Sequence, residues 1–126
     1  MKLLLRRDQK SGMLSSSVTF TLDCRAEISE DEKQQIKKYK MGKTILYTKT
    51  DLVDPGSGLL GVASRFTHRM MNLQLTVDDL TNGKHIECKD IMEMRSVEEQ
   101  IKDACQNFKS ILETAAHFGG EEVFEI

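Results

Sequence analysis

The chain of 126 residues has no long apolar run and little cysteine, proline or aromatic content. No stretch approaches the roughly 18 to 20 apolar residues that a membrane-spanning helix needs. The apolar run after Met1 and Lys2 is also much shorter than the roughly 7 to 15 residues of a secretory signal. We therefore expect a soluble, cytoplasmic protein without a membrane partner.

Cysteine is too scarce to build a disulfide framework. The chain has 3 cysteines, an odd number, and their spacing matches no known motif. Free thiols in a reducing compartment are the expected state. His85 and Cys88 form a single His-x-x-Cys, but residues three apart on a strand point to opposite faces and zinc needs about four converging ligands. We predict no metal site and no cofactor.

The remaining composition is that of a globular protein. With 39% hydrophobic and 30% charged residues, residues 1–126 are expected to form a single soluble domain. Residues 1–50 carry 11 Lys and Arg against 6 Asp and Glu, while residues 51–126 carry 7 against 14. This asymmetry indicates either a basic patch for a polyanion or two halves that face each other, within one fold or across an oligomer.

The strongest pattern is an apolar stripe between Ile91 and Phe118, which predicts a long amphipathic helix. Cys105 and Leu112 widen the stripe and one flank is uncharged, which favours packing on a sheet over a coiled coil. Two capping boxes compete for its start, at Asp90 and at Ser96. Its polar face suggests no function. The stripe residues are Met94, Val97, Ile101, Ala104, Phe108, Ile111, Ala115 and Phe118.

The N-terminal half predicts a hairpin followed by a helix. Lys2–Arg7 is a short apolar strand, and strict alternation from Val18 to Glu27 predicts an antiparallel strand with one buried face. Ser29 and Glu32 form a capping box, which starts a surface helix that ends at Gly42. Thr44–Thr48 follows as another strand.

The second half predicts more strands around a second short helix. Ser57–Met71 has helical spacing, although a strand through Phe66 and His68 stays open. Asn82-Gly83 is a hairpin signal that would pair Val77 with Cys88 and Asp79 with Ile86. A last strand is expected at Val123–Ile126. The result is an α+β fold, with a largely antiparallel sheet of about five to six strands, one long helix on a face and two shorter helices.

Two features suggest a small-ligand site. Residues 56–61 match the dinucleotide pattern GxGxxG, but they do not directly follow a strand. A weaker possibility is an anion or ligand site around Asp51–Arg69, formed by Gly56, Gly58, Arg65, His68 and Arg69.

Asp79 is the one carboxylate for which the sequence predicts a perturbed pKa. It falls next to apolar residues, and burial raises the pKa of a carboxyl group.

Three hypotheses for function follow. The first is a non-enzymatic protein that binds itself or another protein, based on exposed strand edges at Lys2–Arg7 or Val123–Ile126 and on the missing catalytic constellation. The second is an enzyme or anion-binding module around Asp51–Arg69. The third is nucleic-acid binding, against which the acidic net charge and the scarcity of aromatics argue. It would use the basic residues Lys2, Arg6, Arg7, Lys10, Lys37 and Lys38.

Overall fold

A computed structural model describes residues 1–11, 18–48, 72–118, 121 and 123–126 of the chain. The described residues form an α+β structure in which antiparallel sheets pack with one long helix and two short ones. The strands are β1 (Lys2–Ser11), β2 (Val18–Glu27), β3 (Ile45–Leu46), β4 (Leu75–Thr76) and β5 (Lys84–Cys88). The helices are α1 (Glu30–Lys38), α2 (Val77–Asn82) and α3 (Ile91–Ala116).

The larger sheet has the strand order β1-β2-β5, and both pairings are antiparallel. β1 pairs with β2 along all ten residues, from Lys2 opposite Glu27 to Ser11 opposite Val18. The predicted first hairpin partners are therefore confirmed, and β1 extends beyond Arg7. β1 is an edge strand of this sheet among the residues that the structure describes.

The two faces of the larger sheet differ as the alternation in β2 predicts. One face, called the inner face, buries Leu22, Cys24 and Ala26 together with Ile86 and Cys88 of β5. α3 packs on this face. The opposite, outer face is mostly polar, but Thr21 on it is 3% exposed and Leu4 of β1 is an exposed apolar residue.

α1 begins as the sequence predicts but ends earlier. The Ser29 hydroxyl accepts from the Glu32 N–H, and the Glu32 carboxylate accepts from the Ser29 N–H, which completes the capping box. The helix ends at Lys38 rather than at Gly42. Gly42 instead allows a close approach, because a Cβ there would lie 2.6 Å from an Asp78 carboxylate oxygen.

The predicted hairpin at Asn82-Gly83 is wrong, because residues 77–82 form a helix. The Thr76 hydroxyl accepts from the Asp79 N–H and the Asp79 carboxylate accepts from the Thr76 N–H, so a second capping box starts α2. Gly83 follows the helix with a φ of +98° and leads directly into β5. β5 then pairs with β2, and β4 pairs with β3.

α3 begins at Ile91, which resolves the two competing starts. The Asp90 carboxylate accepts from the Glu93 N–H at 2.8 Å and caps the helix. The helix ends at Ala116, just before the predicted end. Its buried apolar residues lie within the predicted stripe and its widened flank, and they are Val97, Ile101, Ala104, Phe108 and Leu112.

The predicted sheet of five to six strands is wrong in its count. The described strands form one sheet of three and another of two. Residues 77–82 form the helix α2 instead of strand and turn, and residues 123–126 form no strand. The predicted helix Ser57–Met71 lies outside the described residues. None of the described helices combines the length and the apolarity that a membrane crossing requires.

Candidate functional site

The main candidate site is a groove between the end of α1 and the last turns of α3, here called the α1–α3 groove. Its volume is about 490 Å³. The residues of α3 that form one wall recur at intervals of three and four, so their side chains lie along one side of the helix. The lining residues are Tyr39, Met41, Asn107, Ser110, Ile111, Thr114, Ala115 and Phe118.

A Schellman motif at the end of α1 places the first wall of the groove. Lys40 adopts a positive φ of 54°, a conformation that is uncommon outside glycine. The Met41 N–H then donates to the Ile36 carbonyl at 2.9 Å, and the Lys40 N–H donates to the Lys37 carbonyl at 3.3 Å. This turn buries the Met41 side chain at the base of the groove and leaves Tyr39 on its side.

The second wall ends in an aromatic contact. The Phe118 ring meets the Tyr39 ring edge to face, with centroids 5.5 Å apart and planes at 76°. Phe118 is nevertheless 71% exposed. Tyr47 is also exposed, and it lies beside the groove because the Asn107 side chain accepts from its N–H at 2.9 Å.

Two polar side chains of the groove make hydrogen bonds within the chain. The Thr114 hydroxyl donates to the Ser110 carbonyl at 3.0 Å, and the Asn107 side-chain oxygen is held by Tyr47. No His, Cys, Asp or Glu is among the described residues that line it. The groove is therefore suited to apolar contact rather than to proton transfer or nucleophilic attack.

Exposed lysines lie in the turn that ends α1, next to Tyr39 of the groove wall. The Lys38 ammonium lies 5.3 Å from the centre of the Tyr39 ring, within the range of a cation–π contact. Lys37 and Lys40 are exposed in the same turn. We call Lys37, Lys38 and Lys40 the lysine rim. An acidic group placed beside an apolar segment in the groove would meet positive charge here.

A second cleft of about 570 Å³ lies where β5 begins beside β2. Its charged residues are mostly basic, and the one carboxylate is Asp23, which contacts His85 Nδ1 at 2.7 Å across the strand pair. Both of these side chains are about half exposed. The basic residues that line the cleft are Arg6, Arg25, Lys84 and His85.

The structure divides the basic residues that the sequence suggested for nucleic acid. Lys2, Arg6 and Lys10 lie on one face of β1, whereas Arg7 lies on the opposite face. Arg7 makes two hydrogen bonds to the Glu98 carboxylate on α3, so its charge is already paired. Lys37 and Lys38 lie on α1, which contacts α3. The six residues therefore form no single described surface.

The other predicted sites have separate outcomes. Gly56, Gly58, Arg65, His68 and Arg69 lie outside the described residues, so the anion or ligand site around Asp51–Arg69 stays a prediction. Asp79 is half-buried and serves as the third residue of the α2 capping box. This role accounts for its position beside apolar residues.

The three cysteines are free thiols in or beside the core. Burial raises the pKa of the Cys24 thiol to about 11, and it also raises the pKa of Cys88 and Cys105. These thiols are protonated at neutral pH and are poor nucleophiles. Within the described part of the chain, no group of three His, Cys, Asp or Glu side chains is arranged to hold a metal ion.

Comparisons with known proteins give no relative for this chain. No protein-family model matches it, and neither the curated proteins nor the solved structures include a significant match. Function must therefore be argued from the site itself.

The sequence did not identify the groove, because Ile111, Ala115 and Phe118 continue the same stripe as the core residues. One signal was available in the length of the helix. A helix of 26 residues extends about 39 Å, whereas a strand of ten residues extends about 33 Å. The last turns of α3 therefore needed another partner, which α1 supplies only in part.

Proposed function

We propose that this chain is a non-enzymatic protein-interaction module that self-associates through the α1–α3 groove. The observation that carries the proposal is the exposed apolar wall of the groove, which ends at Phe118. A contiguous apolar surface of this kind on a folded chain typically marks a site of protein contact. Aromatic side chains such as Tyr39, Tyr47 and Phe118 are also the residue types that dominate binding energy at interfaces.

The chemistry of the groove favours binding over catalysis. The Thr114 hydroxyl and the Asn107 side-chain oxygen of the groove are hydrogen-bonded within the chain, and the thiols elsewhere have raised pKa values. A second copy is the first partner to test, since a homo-oligomer requires no other component and most soluble oligomers are symmetric homo-oligomers.

Analytical ultracentrifugation over a range of micromolar concentrations tests the proposal. The wild-type chain is expected to shift from monomer toward dimer as its concentration rises, and Phe118→Glu is expected to remain monomeric. The matched control is Lys109→Gln, which changes net charge by the same amount. Lys109 is exposed on α3 and is not among the described residues that line the groove.

Two results would contradict the proposal. One is a wild-type chain that stays monomeric throughout the range, and the other is a dimer that Phe118→Glu leaves unchanged. Circular dichroism of each variant establishes that a loss of association does not come from unfolding.

Basic residues at the cleft beside β5 favour a second candidate, the binding of a polyanion such as nucleic acid. Arg6, Arg25 and Lys84 line that cleft together. Binding of a fluorescent single-stranded oligonucleotide at low salt, lost in Arg6→Glu with Arg25→Glu, would support this function. A titration without any change in anisotropy at low salt would remove it.

A further inference from the structure

We infer that the groove of one copy receives the segment that follows α3 in a second copy. This inference rests on the proposed self-association and names its occupant. The segment comprises the described residues 121 and 123–126, and we call it the tail segment.

Among the described large apolar residues, the three with the highest fractional exposure lie in the tail segment. Val123 is 81% exposed and Phe124 is 74% exposed, and Ile126 is completely exposed. These three residues lie within four positions of one another. Exposed apolar groups so closely spaced gain free energy when an apolar surface covers them.

Charge is complementary between the tail segment and the groove. Glu121 and Glu125 lie on either side of the pair Val123 and Phe124, and both are exposed. Of the lysine rim, Lys38 contacts the Tyr39 ring of the groove wall, and Lys37 and Lys40 are exposed in the same turn. An apolar segment seated in the groove would therefore bring its carboxylates toward ammonium groups, which favours this occupant over a neutral or basic one.

The second copy is the source because the segment does not cover its own groove. Phe118 lines the groove, yet the apolar residues that follow it are exposed in the same chain. Exchange between two copies would fill both grooves with the same contact, which gives a closed symmetric dimer. It would also engage two segments at once, and the second contact would form within the complex.

Photo-crosslinking in the full chain tests this placement. The probe is p-benzoylphenylalanine in place of Phe124, in an equal mixture of unlabelled and heavy-isotope-labelled chains. We expect cross-links between labelled and unlabelled peptides, mapped by mass spectrometry to the region of Tyr39–Met41 or Ile111–Phe118. Cross-links confined to one isotopic form, or located elsewhere on the chain, would overturn the inference.

Substitutions in the tail segment separate this inference from the proposed function. Phe124→Ser is expected to weaken the dimer by about 30-fold, as loss of an aromatic anchor does at other interfaces. If Phe124→Ser left the dimer intact while Phe118→Glu abolished it, the groove would stand and the tail segment would be excluded as its occupant. A wild-type chain without a dimer would contradict both.

A charge exchange tests the orientation of the segment. Lys38→Glu and Glu125→Lys are each expected to weaken the dimer, and the two together in one chain are expected to restore part of the loss. Because each copy carries both changes, the pair is reversed at both grooves. Additive losses in the double variant would show that the lysine rim does not face the tail segment.

Discussion

The two halves of α3 differ in what they leave exposed. Beyond its first turn, the N-terminal half buries Val97, Gln100 and Ile101. The side-chain oxygen of the buried Gln100 accepts a hydrogen bond from the Leu73 N–H. The C-terminal half buries Phe108 and Leu112 on one side only. Its other side is the wall of the α1–α3 groove.

The difference teaches that one amphipathic stripe can serve two purposes. α3 contacts β2 and β5 of the larger sheet, and in the first half of the helix Glu98 accepts hydrogen bonds from Arg7 of β1. In the second half, α1 and β3 are short, so apolar side chains remain at the surface. The first half is organised for stability and the second is available for binding.

The largest expected effect is on stability, and it distinguishes Phe108 within α3 from Phe118 just after its end. Phe108→Ala should lower the free energy of unfolding by about 3 to 5 kcal/mol, since Phe108 is completely buried and the substitution leaves a cavity. Phe118→Ala should cost less than about 1 kcal/mol in the monomer, because the ring is mostly exposed. Urea denaturation at low protein concentration measures both. Equal losses would contradict the proposed division of α3.

A smaller effect distinguishes two side-chain amides of α3 that accept hydrogen bonds from backbone N–H groups outside the helix. Gln100 is 3% exposed, and its side-chain oxygen accepts from the Leu73 N–H at 2.8 Å. Gln100→Met should cost about 1 to 3 kcal/mol, because it leaves a part-buried N–H without this acceptor. Asn107→Leu should cost about 0.5 kcal/mol or less, since water can replace its bond to the exposed Tyr47 N–H. The ranking would be contradicted if Asn107→Leu lost more free energy of unfolding than Gln100→Met in the same urea assay.

The ion pair between Arg7 and Glu98 should make stability depend on pH. The hydrogen bonds from Arg7 hold the pKa of Glu98 below its usual range, and Lys102 adds a contact at 3.5 Å. Because the folded-state pKa is the lower one, this stabilisation is complete above the unfolded value of about 4.3 and declines as the pH falls toward the folded value. Thermal unfolding of wild type and Glu98→Gln should differ at neutral pH and converge in acid. A difference that stayed constant with pH would contradict this linkage.

The smallest effect concerns thiol reactivity and leaves stability unchanged. Cys105 is half-buried in the middle of α3, whereas Cys24 and Cys88 are buried under it. With its pKa at about 11, the Cys24 thiol is ionised in only about one molecule in a thousand at pH 8. An aromatic disulfide reagent should therefore modify Cys105 first, and Cys105→Ser should remove this fastest phase. Equal rates at all three thiols would indicate global unfolding rather than local access.

Local patterns in the sequence were enough to predict several elements. Strict alternation in Val18–Glu27 and the capping box at Ser29 each depend on neighbours in the chain, and both are confirmed. The stripe of α3 was also predicted, because its period reflects the geometry of the helix itself. These features explain why the α+β class could be recognised.

The errors arose where two local signals competed. At residues 76–83, alternation and Asn82-Gly83 favoured a hairpin, while Thr76 and Asp79 offered a capping box. The box prevails in the structure, and α2 then packs Val77 and Leu80 into the core. The same residues are thereby removed from the sheet, and the strands that the structure describes form one sheet of three and one of two.

By itself, the sequence determined which side of each main element is apolar, since that follows from composition and period. Only the tertiary structure decided which apolar residues are covered. Ile111, Ala115 and Phe118 have the same spacing as Val97, Ile101 and Ala104, and no local rule separates them. Burial depends on the reach of the opposing elements, and here the sheet covers one half of α3 while α1 leaves a groove along the other.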